Sequence, residues 1–285
     1  MTRLSSLDPY AVARKGVKLN LRCRYLEAGE CTTTAEGARV VDEVDDGQTR
    51  WLNTVVQSCN EPLTNGILFG VESVRSLSGP GYINLELAGV DVSFFDFLAR
   101  QLAFSQGLPE RFRRSDTRSI RGKRANALAC HVFITDDFGN LLIAKRPKTS
   151  LLYAGHWSAS VTGAVDSADL LSFPGAPQNT VIREVTEELG AAMSSSLVNS
   201  GAVRWLAVVS QTDHLHPIVW AQWRVSGNLH DVVRRRITAN QREVAEISIM
   251  NLGDYEQTLR TVASRPVIPA SAAGMLFLSQ QISRR

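Results

Sequence analysis

Three glutamates in the second half of the chain have a spacing that suits carboxylate chemistry. Glu184, Glu187 and Glu188 stand at positions i, i+3 and i+4, which are neighbours on one face of an α-helix. The opposite face carries an apolar stripe of Ile182, Val185 and Leu189. Like charges on one face repel one another, and Mg²⁺ or Mn²⁺ relieves the repulsion because hard divalent cations prefer oxygen ligands. A solvated acidic face explains the trio as well, so the trio alone leaves both interpretations open.

The residues around the trio distinguish the two interpretations. Residues 183–191 read Arg-Glu-Val-Thr-Glu-Glu-Leu-Gly-Ala and resemble the second half of the Nudix box, REUxEExGU, in which U is a bulky aliphatic residue. Only Ala191 departs from this pattern. Upstream, Gly163 and Asp169 resemble the opening G-x5-E of the box, with Asp in place of Glu. Thirteen residues separate Asp169 from Arg183, where the family pattern has seven, so we expect a loop extension of six residues.

A segment before the box extends the resemblance. Residues 141–146 read Leu-Leu-Ile-Ala-Lys-Arg, and residues 154–157 read Ala-Gly-His-Trp. They are similar to the hairpin strand and to the G-x-W lead-in of Nudix proteins. The resemblance spans about residues 127–252 and implies an α/β (α+β) fold, a Nudix-type α/β/α sandwich with a mixed sheet. The helix that carries the box is expected around residues 177–189.

The resemblance implies roles for the matched residues. Glu184, Glu187 and Glu188 would bind Mg²⁺ or Mn²⁺. The backbone carbonyl of Thr162 would supply a further metal ligand. Arg183 would pair with a carboxylate and hold the helix and the preceding loop in register. Residues expected to contact the substrate lie upstream of the box helix: Lys145, Arg146, Trp157 and Gly163.

The general base remains open between two glutamates. Family members use either a glutamate of the box or one from a later loop, so Glu184 and Glu243 are both candidates. If a strand starts near Ala245, its alternation turns Glu246 towards solvent. Glu243 would then precede the strand, in a loop free to turn its carboxylate into the cleft. Lys145 and Arg146, too, have an alternative interpretation as surface charges.

Three functions are compatible with this pattern. The first is hydrolysis, by water attack, of the diphosphate bond in a small molecule that links a nucleoside diphosphate to another group. The second is isomerisation of isopentenyl diphosphate on the same fold. That chemistry uses a cysteine just after the lead-in Trp157, and residues 158–162 contain none. The third is a nucleotide-sensing module without activity, against which the intact glutamate trio argues.

The length of the chain, 285 residues, predicts two domains. We expect a smaller α+β N-terminal domain over residues 1–109, a basic linker over 110–124 and a Nudix domain with a C-terminal helical tail over 125–285. Seven Lys and Arg residues fall within the fourteen positions 111–124, which indicates an exposed segment. The N-terminal domain would shape access of the substrate or formation of a homodimer.

Composition excludes several classes of protein. A hydrophobic fraction of 44% and a charged fraction of 21% are ordinary for a globular protein. A net charge of +3 is too small to indicate nucleic-acid binding. No apolar run approaches the roughly 18 residues of a membrane span, and the N-terminus has no hydrophobic signal region. We therefore expect a cytoplasmic protein.

Overall fold

A large mixed sheet forms the centre of the molecule. The structure, a computed structural model, describes residues 7–13, 17–25, 66–94, 97–98, 126–171, 175–200, 203–211, 216–240 and 242–283. Within these ranges lie twelve strands: β1 (Leu7–Val12), β2 (Lys18–Tyr25), β3 (Ile67–Gly79), β4 (Tyr82–Ser93), β5 (Asn126–Ala127), β6 (Ala129–Thr135), β7 (Asn140–Lys145), β8 (Trp157–Ser158), β9 (Val161–Ala164), β10 (Val203–Gln211), β11 (His216–Arg224) and β12 (Glu246–Asn251). The main path through the sheet is β12-β7-β6-β11-β10-β2-β4-β3-β5.

Helices cover both faces of this sheet. The described helices are α1 (Gln178–Leu189), α2 (Ala191–Ser200), α3 (Leu229–Arg236), α4 (Tyr255–Ser264) and α5 (Pro269–Ser283). Alternation along β6 sends Val132 and Ile134 to the face on which Val185 of α1 packs. The intervening Phe133 packs with Met275 of α5 on the other face. The predicted fold class, an α/β/α sandwich with a mixed sheet, is confirmed.

The hairpin of β6 and β7 opens to admit the segment before α1. Its strands pair directly at Thr135 and Leu141, after which β8 pairs with β7 and β9 pairs with β6. The Ser160 hydroxyl accepts a hydrogen bond from the Ile134 amide and donates one to the Leu142 carbonyl. The Ser160 side chain thus links β6 to β7 where the hairpin opens, and β9 of the inserted segment contacts α1.

The described N-terminal strands belong to the same sheet. β1 pairs antiparallel with β10, and β2 pairs parallel with β4 and bridges to β10 at Leu19 and Trp205. The linker predicted over residues 110–124 lies outside the described residues, so the division of the chain into two domains stays a prediction. Among the described helices, none has the length and apolar character that a membrane span needs.

Candidate metal centre and active site

Helix α1 carries two of its glutamates on the face that packs against the sheet. Glu184 and Glu188 are 7% and 5% exposed, whereas the side chain of Glu187 is 46% exposed. The predicted separation of an acidic face from an apolar face is therefore wrong for Glu184 and Glu188, which are buried together with Val185 and Leu189. Positions i and i+4 lie on one side of a helix, whereas Glu187 at i+3 lies towards the exposed edge. Burying a carboxylate opposes folding unless a partner compensates for its lost hydration.

The two buried glutamates meet a third from a distant loop. One carboxylate oxygen each of Glu184, Glu188 and Glu243 lie within 4.8 Å of one another; we call these three residues the glutamate cluster. Burial raises the pKa of Glu184 to about 8, against the opposing charge of Arg183. Burial, and then the charge of Glu184, also raise the pKa of Glu188 well above its ordinary value. A divalent cation would offset both the burial and the repulsion, so this set of oxygen donors fits Mg²⁺ or Mn²⁺.

A short turn brings Glu243 to the helix. The Asn240 amide donates a 3.0 Å hydrogen bond to the carbonyl of Glu188 near the end of α1, and the Glu243 amide donates a 2.9 Å bond to the Asn240 carbonyl. The Ala245 amide then donates to the carbonyl of Lys145 on β7. The turn is therefore fixed at both ends, with Glu243 between them. Sequence reasoning did not single out Asn240, since an asparagine in a loop has no distinctive signal.

Arg183 connects the box helix with the loop before it. Its Nη2 lies 3.0 Å from Oδ2 of Asp169 and donates a 2.9 Å hydrogen bond to the Ala164 carbonyl. Its Nη1 lies 2.7 Å from Oε1 of Glu184 and 3.2 Å from Oε2 of Glu187. The guanidinium thus bridges one carboxylate of the loop and two of the helix, and its planar donors fix their relative positions.

Asp169 reaches Arg183 in spite of the longer spacing between them. It lies in a 3-10 turn, Ser167–Leu170, and its side chain is also the acceptor for the Thr180 hydroxyl at 2.7 Å and the Asp166 amide at 3.1 Å. The Asn179 side chain donates to the Asp169 carbonyl at 2.8 Å. The start of α1 is thereby tied to the turn. Part of the loop extension, residues 172–174, lies outside the described residues.

The absence of a side chain at Gly163 makes room for the cluster. A Cβ at this position would lie 1.9 Å from the Glu184 carboxyl group, so only glycine permits this close approach. Next to it, the Thr162 amide donates a 3.1 Å hydrogen bond to Oε1 of Glu188. Thr162 contacts the cluster through its N–H group, and the metal-binding role of its carbonyl stays a prediction.

The other residues predicted to bind substrate lie on two faces of the sheet. Lys145 forms an ion pair with Glu246 at 3.2 Å, and its Nζ lies 5.5 Å from the ring centre of Trp157, which packs in the core beneath α5. By strand alternation Arg146 points to the opposite, α1 side. Arg146 is near enough to Glu188 for its positive charge to lower the pKa of that carboxyl, against the larger effect of burial, which raises it. The structure thus places Arg146, but not Lys145 or Trp157, on the side of the cluster.

Comparison with known proteins finds similarity at the level of structure. No protein-family profile matches the sequence, and no curated protein matches it. A protein of Deinococcus radiodurans, DR0079, is 18% identical, with a TM-score of 0.40 over 52% of this chain and 80% of its own. The MutT protein of Methanosarcina mazei is 15% identical, with a TM-score of 0.36 over 56% of this chain and 96% of its own. The Nudix domain of Shewanella oneidensis NrtR, solved with ADP-ribose, is 13% identical, with a TM-score of 0.38 over 55% of this chain and 88% of its own. The resemblance of the chain to Nudix proteins rests on its own box motif, residues 183–190.

Proposed function

We propose that the chain is a metal-dependent hydrolase that cleaves the diphosphate bond of a nucleoside diphosphate linked to another group. The observation that carries the proposal is the glutamate cluster, in which two buried carboxylates on one helix meet a third from a loop within 4.8 Å. Such a cluster opposes folding through burial and repulsion. Strongly shifted carboxyl pKa values at one place are typical of functional sites.

The residues of the site would serve as metal ligands, as the base and as positioning groups, and one glutamate of the cluster would be both a ligand and the base. Glu184, Glu188 and Glu243 would hold Mg²⁺ or Mn²⁺, with Glu187 at the exposed side of α1 as a further candidate. When bound, the metal neutralises the diphosphate, activates water and stabilises the leaving oxygen. Arg183 holds the carboxylate of Glu184 in place through its 2.7 Å contact.

The proton of the attacking water needs an acceptor. Glu243 is the exposed member of the cluster, so water can reach its side chain. Glu184 remains the alternative base. Arg146, whose charge acts on Glu188, would orient a phosphate group of the substrate.

The function is tested by turnover. The purified chain, with Mg²⁺ or Mn²⁺, is incubated with a panel of compounds that link a nucleoside diphosphate to a second group, and products are identified by mass. We expect cleavage between the two phosphorus atoms, dependent on metal and abolished by EDTA. Binding of a panel compound without turnover would instead favour the nucleotide-sensing module.

Two glutamates separated by two residues provide a matched pair of variants. Glu243→Gln should lower kcat by at least about tenfold and change KM less, as expected for a group that acts in the chemical step. Glu246→Gln should have little effect, because Glu246 pairs with Lys145 on the other face. Equal activity of the two variants would remove Glu243 from the mechanism.

A further inference from the structure

The hairpin of β3 and β4 lies directly against the segment that precedes the 3-10 turn. The Phe69 amide donates a 2.8 Å hydrogen bond to the Val165 carbonyl, and the Val165 amide donates a 2.7 Å bond to the Leu128 carbonyl. The Leu128 amide closes the ring with a 2.9 Å bond to the carbonyl of Phe69. These backbone bonds join three segments that are far apart in sequence, and the N-terminal hairpin is one of them.

A side-chain contact adds to these backbone bonds. The Ser167 hydroxyl donates a 2.7 Å hydrogen bond to Oδ1 of Asp91 on β4, and Leu68 on β3 forms a backbone bridge with Asp166. The two strands of the hairpin are closely packed near Asp91, since a Cβ on Gly89 would lie 2.1 Å from the carbonyl of Gly70 on the opposite strand. The turn is therefore attached to a part of the hairpin that has little room to move.

A continuous series of contacts leads from the hairpin to the glutamate cluster. Ser167 begins the 3-10 turn, in which Asp166 and Asp169 cap each other's backbone amides. Asp169 accepts from Arg183 at 3.0 Å, and Arg183 donates to Glu184 at 2.7 Å. Each contact involves a charged group or a backbone bond, and such contacts are geometrically more specific than apolar packing. A shift of the turn would therefore move the carboxylate of Glu184.

We propose that the N-terminal hairpin is part of the hydrolase site, with Asp91 and Ser167 as positioning residues. They act through the turn, Asp169 and Arg183. The inference rests on the proposed function and gives the N-terminal region a task within the site. The chemical step is sensitive to misplacement of its groups by as little as an ångström, so a loosened turn lowers the rate even where the fold is intact.

The experiment compares variants of the full chain that remove one contact of the same hairpin. Ser167→Ala and Asp91→Asn weaken the bond to the turn. Glu86→Gln is the matched control, because its ion pair with Arg24, 2.8 Å long, joins β4 to β2 away from the turn. The readouts are kcat, KM, the affinity for Mn²⁺ by electron paramagnetic resonance, and the Tm without metal.

The expected outcome separates positioning from stability. Ser167→Ala and Asp91→Asn should lower kcat and Mn²⁺ affinity by about tenfold. Their Tm should change no more than that of Glu86→Gln, and Glu86→Gln should keep the kcat and Mn²⁺ affinity of the unaltered chain. Ser167→Thr, which retains the hydroxyl, should restore them. The proposal is overturned if the two variants keep unaltered kcat and Mn²⁺ affinity, or if Glu86→Gln loses both to the same degree as they do. If the unaltered chain cleaves no diphosphate, the proposed function fails, and the comparison of Mn²⁺ affinities still decides on the hairpin.

Discussion

Replacing Glu184 by Gln measures how strongly the buried carboxyl opposes folding of the metal-free protein. Burial raises the pKa of this group from 4.5 to about 8, although Arg183 acts in the opposite direction. At pH 7 the carboxyl is ionised in the unfolded chain, so folding must bury the charge or take up a proton. Gln has nearly the shape of the protonated carboxyl and needs no proton, so the variant avoids this unfavourable step.

The shift in pKa sets the size of the effect and its pH window. One pKa unit corresponds to about 1.4 kcal/mol. The pH of 7 lies about 2.5 units above the pKa of the unfolded chain, so the uptake of a proton on folding destabilises the fold by about 3 kcal/mol. The folded carboxyl binds its proton more tightly than the unfolded one. Protonation of Glu184 therefore stabilises the fold fully below pH 4.5, and this stabilisation is lost as the pH rises to about 8. We expect Glu184→Gln to be more stable than the unaltered protein by about 3 kcal/mol at pH 7 and about equally stable near pH 4.5.

Urea unfolding in EDTA, followed by circular dichroism across this pH range, provides the measurement. Glu187→Gln is the matched control on the same helix, since its side chain is 46% exposed, and should change the free energy of unfolding by less than about 0.5 kcal/mol. Saturating Mg²⁺ should reverse the order of the unaltered protein and Glu184→Gln, because the metal stabilises only the folded state that binds it. Equal stability of these two proteins at every pH would refute the reasoning.

Three further predictions concern other parts of the chain. Gly163→Ala should lower kcat by about a hundredfold, because its Cβ would lie 1.9 Å from a carboxylate of the cluster. Gly66→Ala is the control, since a Cβ there meets nothing within 4 Å. Equal kinetics of the two variants would contradict the prediction. Asp136→Asn should lower the free energy of unfolding at pH 7 by roughly 1–3 kcal/mol, because the buried carboxylate accepts from the Leu229 amide at 3.0 Å. Burial acts to raise the pKa of Asp136, but hydrogen bonds lower it overall. The ionised side chain therefore stabilises the fold above about pH 4, and this stabilisation is lost at lower pH. If urea unfolding of Asp136→Asn depends on acid pH as that of the unaltered protein does, the prediction is contradicted. Limited trypsin digestion should cut first within residues 110–124, and resistance of this segment would show that it is packed.

The local pattern of the box predicted more of the site than of the surrounding sheet. Helical spacing and the box sequence predicted a helix over residues 177–189, and the structure has it at Gln178–Leu189. The spacing placed three glutamates on one face but did not indicate that Glu187 would be exposed, because that depends on how the helix packs. The resemblance predicted a carboxylate partner for Arg183, but the spacing did not identify Asp169 as that partner, since the loop extension hides their proximity.

The sequence did not predict where the N-terminal strands join the sheet, and the reason is different. Pairing of β2 with β4 and of β1 with β10 joins segments that are distant in the chain. Alternating apolar residues predict that a segment is a strand but do not specify its partner. For the same reason the contact between Ser167 and Asp91, 76 residues apart, left no signal in the sequence.

Titration with Mn²⁺, followed by electron paramagnetic resonance, tests the central claim most directly. The claim is that Glu184, Glu188 and Glu243 form one metal centre. The unaltered chain and Glu246→Gln should bind Mn²⁺ with the same affinity, and Glu188→Gln should weaken binding by at least about tenfold, as expected for loss of a charged oxygen ligand. Equal affinity of the unaltered chain and Glu188→Gln would contradict the account.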